Sequence, residues 1–256
     1  MSRFFYQERK YICSQNYIDI QIFPVIPVSK ERNSKKKPSS DIQKRLNNEN
    51  ALKKLMRLVH TNFVRNDYEA TFTYTDKHRP DDEATAKKQI QNFFRRAKRF
   101  YKKHDIELKY IWVMERSEKT GNIHFHAFMS GGVDRTQLEE LWGFGYLNTV
   151  ALKFNEKGVA GLVAYDISDR LLYRRWSCSK NLKKPIVREN NSRITYSKAK
   201  KLYAECDNIE AFKKIYPDYQ KKLAEYDISE VRAQKNEFNG DYYFTIRLYR
   251  KTVRIL

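Results

Sequence analysis

The chain of 256 residues is long enough for one large domain or for a domain with a smaller companion. Its formal charge of +20 predicts a polyanionic partner, either nucleic acid or an acidic membrane surface. No stretch approaches the ~18 apolar residues of a membrane span, and the first residues lack the apolar core of a signal peptide. Three scattered cysteines without metal-ligand spacing are typical of a reducing cytosol, so we expect a cytoplasmic protein without disulfides.

Periodicity predicts a chain that mixes strands and helices. The clearest helix is Asp81–Lys103, in which Asp81 or Asp82 caps the first turn and apolar residues recur at helical spacing. The other elements expected, in chain order, are a strand at Tyr17–Ile22, a basic linker at Lys30–Ser40, a helix at Asp41–Asn62, strands at Tyr68–Tyr74, Tyr110–Glu115 and Ile123–Met129, a helix at Asp134–Trp142, a strand at Tyr146–Phe154, a helix at Val159–Leu172, one or two helices from Ser197, and a strand at Tyr242–Tyr249.

The order of these elements predicts an α+β fold. Tyr110–Glu115 and Ile123–Met129 are separated by a polar stretch that contains Gly121, which indicates an antiparallel hairpin. Helices that follow the strands can cover one face, so we expect an antiparallel sheet with helices on one face, of the ferredoxin-like or RNA-recognition kind. We expect three segments: an N-terminal strand, basic linker and helix in 1–66, a core in 67–188, and an α+β extension that packs on the core in 189–256.

Two histidines flank an apolar residue within the strand Ile123–Met129. Side chains alternate along a strand, so His124 and His126 project to one side while Phe125 points to the core. The hairpin brings Glu115 beside them. Two imidazoles and a carboxylate with open coordination positions suit Mg²⁺ or Mn²⁺ acting on a phosphodiester, whereas the alternative is a pair of structural histidines.

Cleavage of a phosphodiester at such a site needs a nucleophile. Tyr165 lies on the otherwise apolar helix Val159–Leu172 and is the best candidate among the tyrosines. Its hydroxyl has an ordinary pKa near 10, so a metal or a base must help to ionise it. The alternative is that Tyr165 is a core residue of this helix.

The chain resembles the HUH endonucleases, which have a His-hydrophobe-His signature like His124-Phe125-His126. It is most similar to replication-associated proteins of Gram-positive plasmids, phages and mobile elements, related to the filamentous-phage gene II type. The resemblance runs from about Lys30 to the last strand, and it is carried by Asn50–Leu55, Asn62-Phe63, Ala70–Tyr74, Leu108–Glu115, Gly121–His126, Leu141–Gly143, Gly161–Tyr165, Arg175–Ser177 and Lys180–Pro185.

The resemblance implies a role for each candidate residue. His124 and His126 would bind the Mn²⁺ or Mg²⁺ ion, with Glu115 as the third ligand. Tyr165 would attack single-stranded DNA, leaving a 5′-phosphotyrosine and a free 3′-OH that primes rolling-circle replication. One tyrosine in the motif implies the single-tyrosine subtype, and Tyr173, two turns along the same helix, is the reserve nucleophile.

The chain departs from the family pattern one helical turn after the tyrosine. Relatives usually carry a lysine there, whereas this chain has Ser168 followed by Asp169. Asp166 and Asp169 add negative charge, which raises the pKa of a nearby tyrosine. The departure supports an alternative interpretation, a DNA-binding protein that keeps the fold without catalysis; a relaxase or transposase-type nickase would share the chemistry of the initiator.

A basic segment follows the tyrosine helix and contains no acidic residue from Arg174 to Arg188. It is expected to hold a DNA backbone, with Trp176 as a stacking ring. A charged surface turn with a core tryptophan is the alternative. The residues expected to bind DNA are Arg174, Arg175, Trp176, Lys180, Lys183 and Lys184.

The expected partners are single-stranded DNA at a replication origin and the host helicase and polymerase. No Walker-type phosphate loop occurs in the sequence, so helicase activity would have to come from another protein. An RNA-recognition module is a weaker alternative, because histidines stand where its central strands would carry stacking aromatics.

Overall fold

The computed structural model describes residues 5–25, 41–117, 120–152, 176–205, 209–216, 223–236 and 239–251. The strands are β1 (Phe5–Ile12), β2 (Tyr17–Val25), β3 (Tyr68–Phe72), β4 (Tyr110–Arg116), β5 (Ile123–Met129), β6 (Leu147–Ala151), β7 (Ser177–Cys178), β8 (Ile186–Asn190), β9 (Tyr226–Lys235) and β10 (Tyr242–Arg250). The helices are α1 (Asp41–Asn62), α2 (Glu83–Lys103), α3 (Arg135–Trp142), α4 (Tyr196–Glu205) and α5 (Ile209–Ile215).

The chain divides into two compact units. One comprises residues 41–183, and the other combines residues 1–40 with 184–256. The division therefore groups α1 with β3–β7, and it groups the two N-terminal strands with the C-terminal third of the chain. The three segments expected from the sequence, 1–66, 67–188 and 189–256, stay a prediction.

Unit 41–183 is built on a five-stranded antiparallel sheet in the order β6-β3-β5-β4-β7. One face packs on α2 and α3 because the apolar residues of β3, β4 and β5 alternate toward it. Phe72 is fully buried at its centre, with its ring 4.8 Å from that of Phe93 and 5.1 Å from that of Trp142. Asp82 caps α2 by accepting a hydrogen bond from the Thr85 amide at 2.7 Å, as one of the two predicted caps.

Helix α1 packs against the opposite face of the same sheet. Leu55, Val59 and Phe63 form a cluster with Ile111, Val113 and Phe128, which point away from α2. Helices α2 and α3, which follow strands, thus share one face, as the sequence predicts. Helix α1, which precedes these strands, covers part of the other face. Glu115, His124 and His126 lie on this same face and are partly exposed.

The second unit contains the other antiparallel sheet, in the order β8-β1-β2-β10-β9. Alternating residues of β2 and β10 bury one face of this sheet against α4 and α5. A buried carboxylate on β1, Glu8, pairs with Arg193 at 2.7 Å and accepts a hydrogen bond from Tyr216. The sequence predicts β2 and β10, whereas β1, β8 and β9 are found only in the structure.

The observed architecture confirms the predicted α+β class with antiparallel sheets. Helices α1, α2 and α3 and the hairpin β4–β5 lie where periodicity placed them, within two residues at each end. The predicted strand Tyr146–Phe154 is shorter, ending at Ala151, with Leu152 beyond it. None of the described helices is long and apolar enough to cross a membrane.

Candidate metal centre

The hairpin β4–β5 brings the three predicted ligands together. Glu115 is the cross-strand partner of His124 in the antiparallel register. His126 lies two residues further along β5, on the same face, because Phe125 between them is fully buried on the α2 face. The predicted alternation of histidines and core residue is therefore the one observed.

One carboxylate oxygen lies between both rings. Glu115 Oε2 is 3.0 Å from His124 Nε2 and 3.2 Å from His126 Nε2. Neighbouring ligands of an octahedral ion at ~2.1 Å are about 3 Å apart, since that edge is √2 times the metal–ligand distance. Both distances fit ligands of one such ion. Within the described residues, this is the one group of three acidic, histidine or cysteine side chains close enough to hold a metal.

The three side chains are partly exposed. Their exposed fractions are 12% for Glu115, 19% for His124 and 18% for His126. A divalent ion held by these three residues would keep coordination positions for ligands from outside the protein. Such an arrangement suits a catalytic ion that must accept a substrate oxygen more than a closed structural ion.

A polar turn fixes the register of the hairpin. The Ser117 amide donates to the Asn122 carbonyl at 2.8 Å, and the Gly121 amide donates to the Ser117 carbonyl at 2.8 Å. Gly121 has φ of +68°, a left-handed conformation that favours glycine. This turn places Glu115 directly opposite His124, because a slip of one residue would turn the carboxylate toward the core.

Thr71 of β3 contacts the second nitrogen of one ligand. Its Oγ1 lies 3.4 Å from His126 Nδ1, and the two residues are cross-strand partners. A partner at Nδ1 fixes the ring orientation of a histidine whose Nε2 binds a metal. The sequence indicates that Thr71 faces away from α2, but not that it lies beside His126, because the β3–β5 pairing is not visible in either strand alone.

The described part of the basic segment is held at the edge of the same sheet. Strand β7 pairs with β4, and Ser179 exchanges hydrogen bonds with the backbone of Tyr110 at 2.9 and 3.1 Å. Lys180, Lys183 and Lys184 are exposed. Trp176 is partly buried and packs against the α1 cluster. The three lysines are thus available to phosphate groups, and their DNA-binding role stays a prediction.

A buried asparagine anchors this segment from the end of α1. Asn62 accepts from the Lys183 amide at 2.7 Å and donates to the Lys183 carbonyl at 2.8 Å. Sequence reasoning places Asn62 at a helix end without assigning this contact. The partners are 121 residues apart, so only the folded chain shows that they meet.

Several predicted residues lie outside the described residues. They are Tyr165, Tyr173, Ser168, Arg174 and Arg175. The predicted helix Val159–Leu172 and the basic linker Lys30–Ser40 also lie outside them. The nucleophile and these two DNA contacts therefore stay predictions from the sequence. Of the cysteines, Cys13 and Cys178 are free thiols, buried and exposed respectively.

Residues 67–169 match the family model of replication-associated proteins of the ORF2 and gene II protein type. The match covers about two fifths of the chain and includes Glu115, His124, His126 and Tyr165. No curated protein and no solved structure gives a significant match. The family match supports a role for this chain in the initiation of replication.

Proposed function

We propose that this chain is a metal-dependent nickase and strand transferase of the HUH type, which cuts single-stranded DNA at an origin and initiates rolling-circle replication. The observation that carries the proposal is the convergence of Glu115, His124 and His126 on one accessible face, inside the segment that matches a replication-associated family. A DNA-binding protein would need no such set of donors.

The donor set favours Mn²⁺ over Mg²⁺. Two of the three ligands are imidazole nitrogens, whereas Mg²⁺ strongly prefers oxygen. A bound divalent ion would act as a Lewis acid on the scissile phosphate. Glu115 contributes one negative charge, so the site keeps a net positive charge toward the phosphate when a divalent ion is present.

The covalent step would use the hydroxyl of Tyr165. The Tyr165 hydroxyl gives up its proton as its oxygen forms a bond to phosphorus. The bond from phosphorus to the 3′-oxygen breaks, and the 3′-oxygen takes up a proton to become the 3′-OH, so no proton is gained or lost overall. The DNA stays attached through its 5′-phosphate, which preserves one phosphodiester bond for the later transfer of the strand. The exposed lysines Lys180, Lys183 and Lys184 would bind phosphate groups of the DNA backbone.

The deciding experiment is a search for a covalent adduct. The protein is incubated with Mn²⁺ and a single-stranded oligonucleotide library, and denaturing gels reveal any protein–DNA product. We expect an adduct with the wild type, none with Tyr165→Phe, and none with His124→Ala or His126→Ala. His78→Ala, which replaces an exposed histidine outside the triad, is the matched control and should behave like the wild type.

Binding of the same oligonucleotides separates the roles of the histidines. The histidine variants should lose cleavage and keep most of their DNA affinity. An equal loss of both would mean that the histidines are structural. If only Tyr173→Phe abolishes the adduct, the reserve tyrosine is the nucleophile.

A second candidate function is a catalytically silent DNA-binding protein. Ser168 and Asp169 favour it, since they stand where relatives usually carry a lysine. Tight binding of single-stranded DNA without an adduct under any divalent metal would establish this interpretation. Restoration of an adduct by Ser168→Lys would identify the missing lysine as the reason.

A further inference from the structure

The face that carries the metal ligands continues across β3 to the edge strand β6. Phe72 is the partner of Phe125 on one side and of Leu147 on the other. One residue further, the Thr73 amide donates to the Tyr146 carbonyl at 2.9 Å. Tyr146, Thr73 and His124 therefore lie in one cross-strand row, with Glu115 as its last member.

Tyr146 belongs to the same face as the histidines. Its neighbour Leu147 is buried in the α2 core, so alternation turns Tyr146 to the other side of the sheet. Two strand spacings of ~4.8 Å separate its backbone from that of His124, which places the tyrosine about 10 Å from a metal ligand.

The ring of Tyr146 is unusually exposed for a tyrosine on a sheet. Its exposed fraction is 68%, the largest among the exposed large apolar and aromatic residues of the described chain. Asn148, also exposed, follows on the same face, in the row that contains Thr71 and His126. A flat ring with amide and hydroxyl groups beside it matches a nucleobase, which offers a π-face for stacking and polar edges for hydrogen bonds.

We infer that Tyr146 stacks on an unpaired base next to the phosphate held at the metal triad, and that Asn148 contacts the edge of that base. The inference rests on the proposed single-stranded DNA substrate. It deepens that proposal because Tyr146 and Asn148 would select one nucleotide beside the phosphate that is cut. A duplex would not fit this role, because its bases are already stacked on each other.

The charge of the protein and the position of the ring identify nucleic acid as the occupant. The chain has a formal charge of +20, and Tyr146 and Asn148 lie on the face of the sheet that carries the triad. A bound nucleotide with its phosphate at the triad extends its base away from the phosphate, along the sheet. Tyr146 is the exposed aromatic residue in the same row as His124.

The test measures binding and stacking separately. An oligonucleotide that the wild type binds is labelled with 2-aminopurine at successive positions, and binding is measured without metal and with Mn²⁺. Stacking quenches the fluorescence of that base, so one position should be quenched by the wild type. Tyr146→Ala and Tyr146→Leu should abolish the quenching and weaken binding by roughly 5- to 150-fold, the range found for base–aromatic contacts.

Two further variants control for the loss of the ring. Tyr146→Phe keeps the stacking surface and should retain both quenching and affinity. Tyr196→Ala removes an exposed tyrosine of the other unit and should leave both unchanged. Thermal unfolding should give the same midpoint for Tyr146→Ala and the wild type, since the side chain is exposed.

Each outcome decides between the two proposals. Normal binding and quenching by Tyr146→Ala, with an adduct still formed by the wild type, would overturn the role of Tyr146 and leave the nickase intact. A wild type that binds no single-stranded DNA would overturn both. Equal loss with Tyr146→Ala and Tyr146→Phe would show that the hydroxyl, not the ring face, makes the contact, and would overturn stacking.

Discussion

Replacement of Asn62 by alanine tests whether the hydrogen bonds of Asn62 hold the basic segment in the conformation that binds DNA. Asn62 is 8% exposed and makes two hydrogen bonds to the backbone of Lys183. It also donates to the Leu58 carbonyl at 2.9 Å, within the last turn of α1. Alanine removes all three hydrogen bonds and leaves the Lys183 peptide groups without this partner.

The expected change in stability follows from these hydrogen bonds. A hydrogen bond within a protein contributes about 0.5–1.5 kcal/mol, so the two bonds to Lys183 together contribute roughly 1–3 kcal/mol. Asn181 makes one comparable hydrogen bond, donating to the Leu108 carbonyl at 3.0 Å. Asn181→Ala removes this second anchor of the same segment, with an expected decrease of about 1 kcal/mol in the free energy of unfolding.

Urea denaturation measures the stability, and salt titration of DNA binding measures the function. If the segment holds phosphates, Asn62→Ala should reduce the slope of log K against log salt by roughly 0.7 for each phosphate group that the variant no longer binds. An unchanged slope together with a clear decrease in stability would refute the role of the segment in DNA binding. A decrease in stability below about 0.5 kcal/mol would refute the anchoring itself.

Three other predictions concern the hydroxyl partner of a metal ligand, a close backbone contact and two buried tyrosines. Thr71→Val should weaken Mn²⁺ binding by about tenfold in calorimetry, because His126 Nδ1 loses its hydroxyl partner. An affinity equal to that of the wild type would show that the His126 ring is oriented without the Thr71 hydroxyl. Gly145→Ala would place a Cβ 2.4 Å from the Thr73 carbonyl oxygen and 2.9 Å from Tyr74 Cα. Urea denaturation should therefore show a decrease in stability of about 1–3 kcal/mol. A wild-type midpoint would contradict the close packing. Burial raises the pKa of Tyr6 to about 12 and raises the pKa of Tyr101 as well. A tyrosine of the unfolded chain has a pKa of about 10, so above this pH the unfolded state releases protons that the folded state keeps. The free energy of unfolding should therefore be constant below pH ~10 and fall above it, by up to ~1.4 kcal/mol per pH unit for each such tyrosine. Urea midpoints between about pH 8 and about pH 11 check this, and a flat profile would contradict it.

The elements that the sequence predicts well are those encoded by a local pattern. Helix α2 carries an apolar stripe with an acidic cap, and both features are present within its own residues. The two histidines face one way because strand alternation is local as well. Glu115 could be placed opposite His124 because a short polar turn joins the two strands directly.

The elements that the sequence does not predict depend on distant partners. Strand β8 is exposed along most of its length, so no alternation distinguishes it from a loop, and it is a strand because it pairs with β1. Residue Glu8 of β1 pairs with Asn190, far along the chain. The interactions of Asn62 and Thr71 could not be predicted for the same reason, since strand register and segment docking arise only when the chain has folded.

The placement of the histidines bears on the two interpretations of the His-x-His pattern. A structural histidine is expected among core residues, whereas both rings here are partly exposed, and the residue between them, Phe125, is fully buried on the α2 face. The fold is stabilised by Phe125 and its neighbours on the α2 face, and the donors occupy positions that contribute little to that core. Glu115 Oε2 lies 3.0 and 3.2 Å from the two histidine Nε2 atoms, which is the separation expected of neighbouring ligands of one divalent ion and supports the metal interpretation. The alternation of β5 thus directs Phe125 into the α2 core and both histidines to the opposite face, where the proposed chemistry would take place.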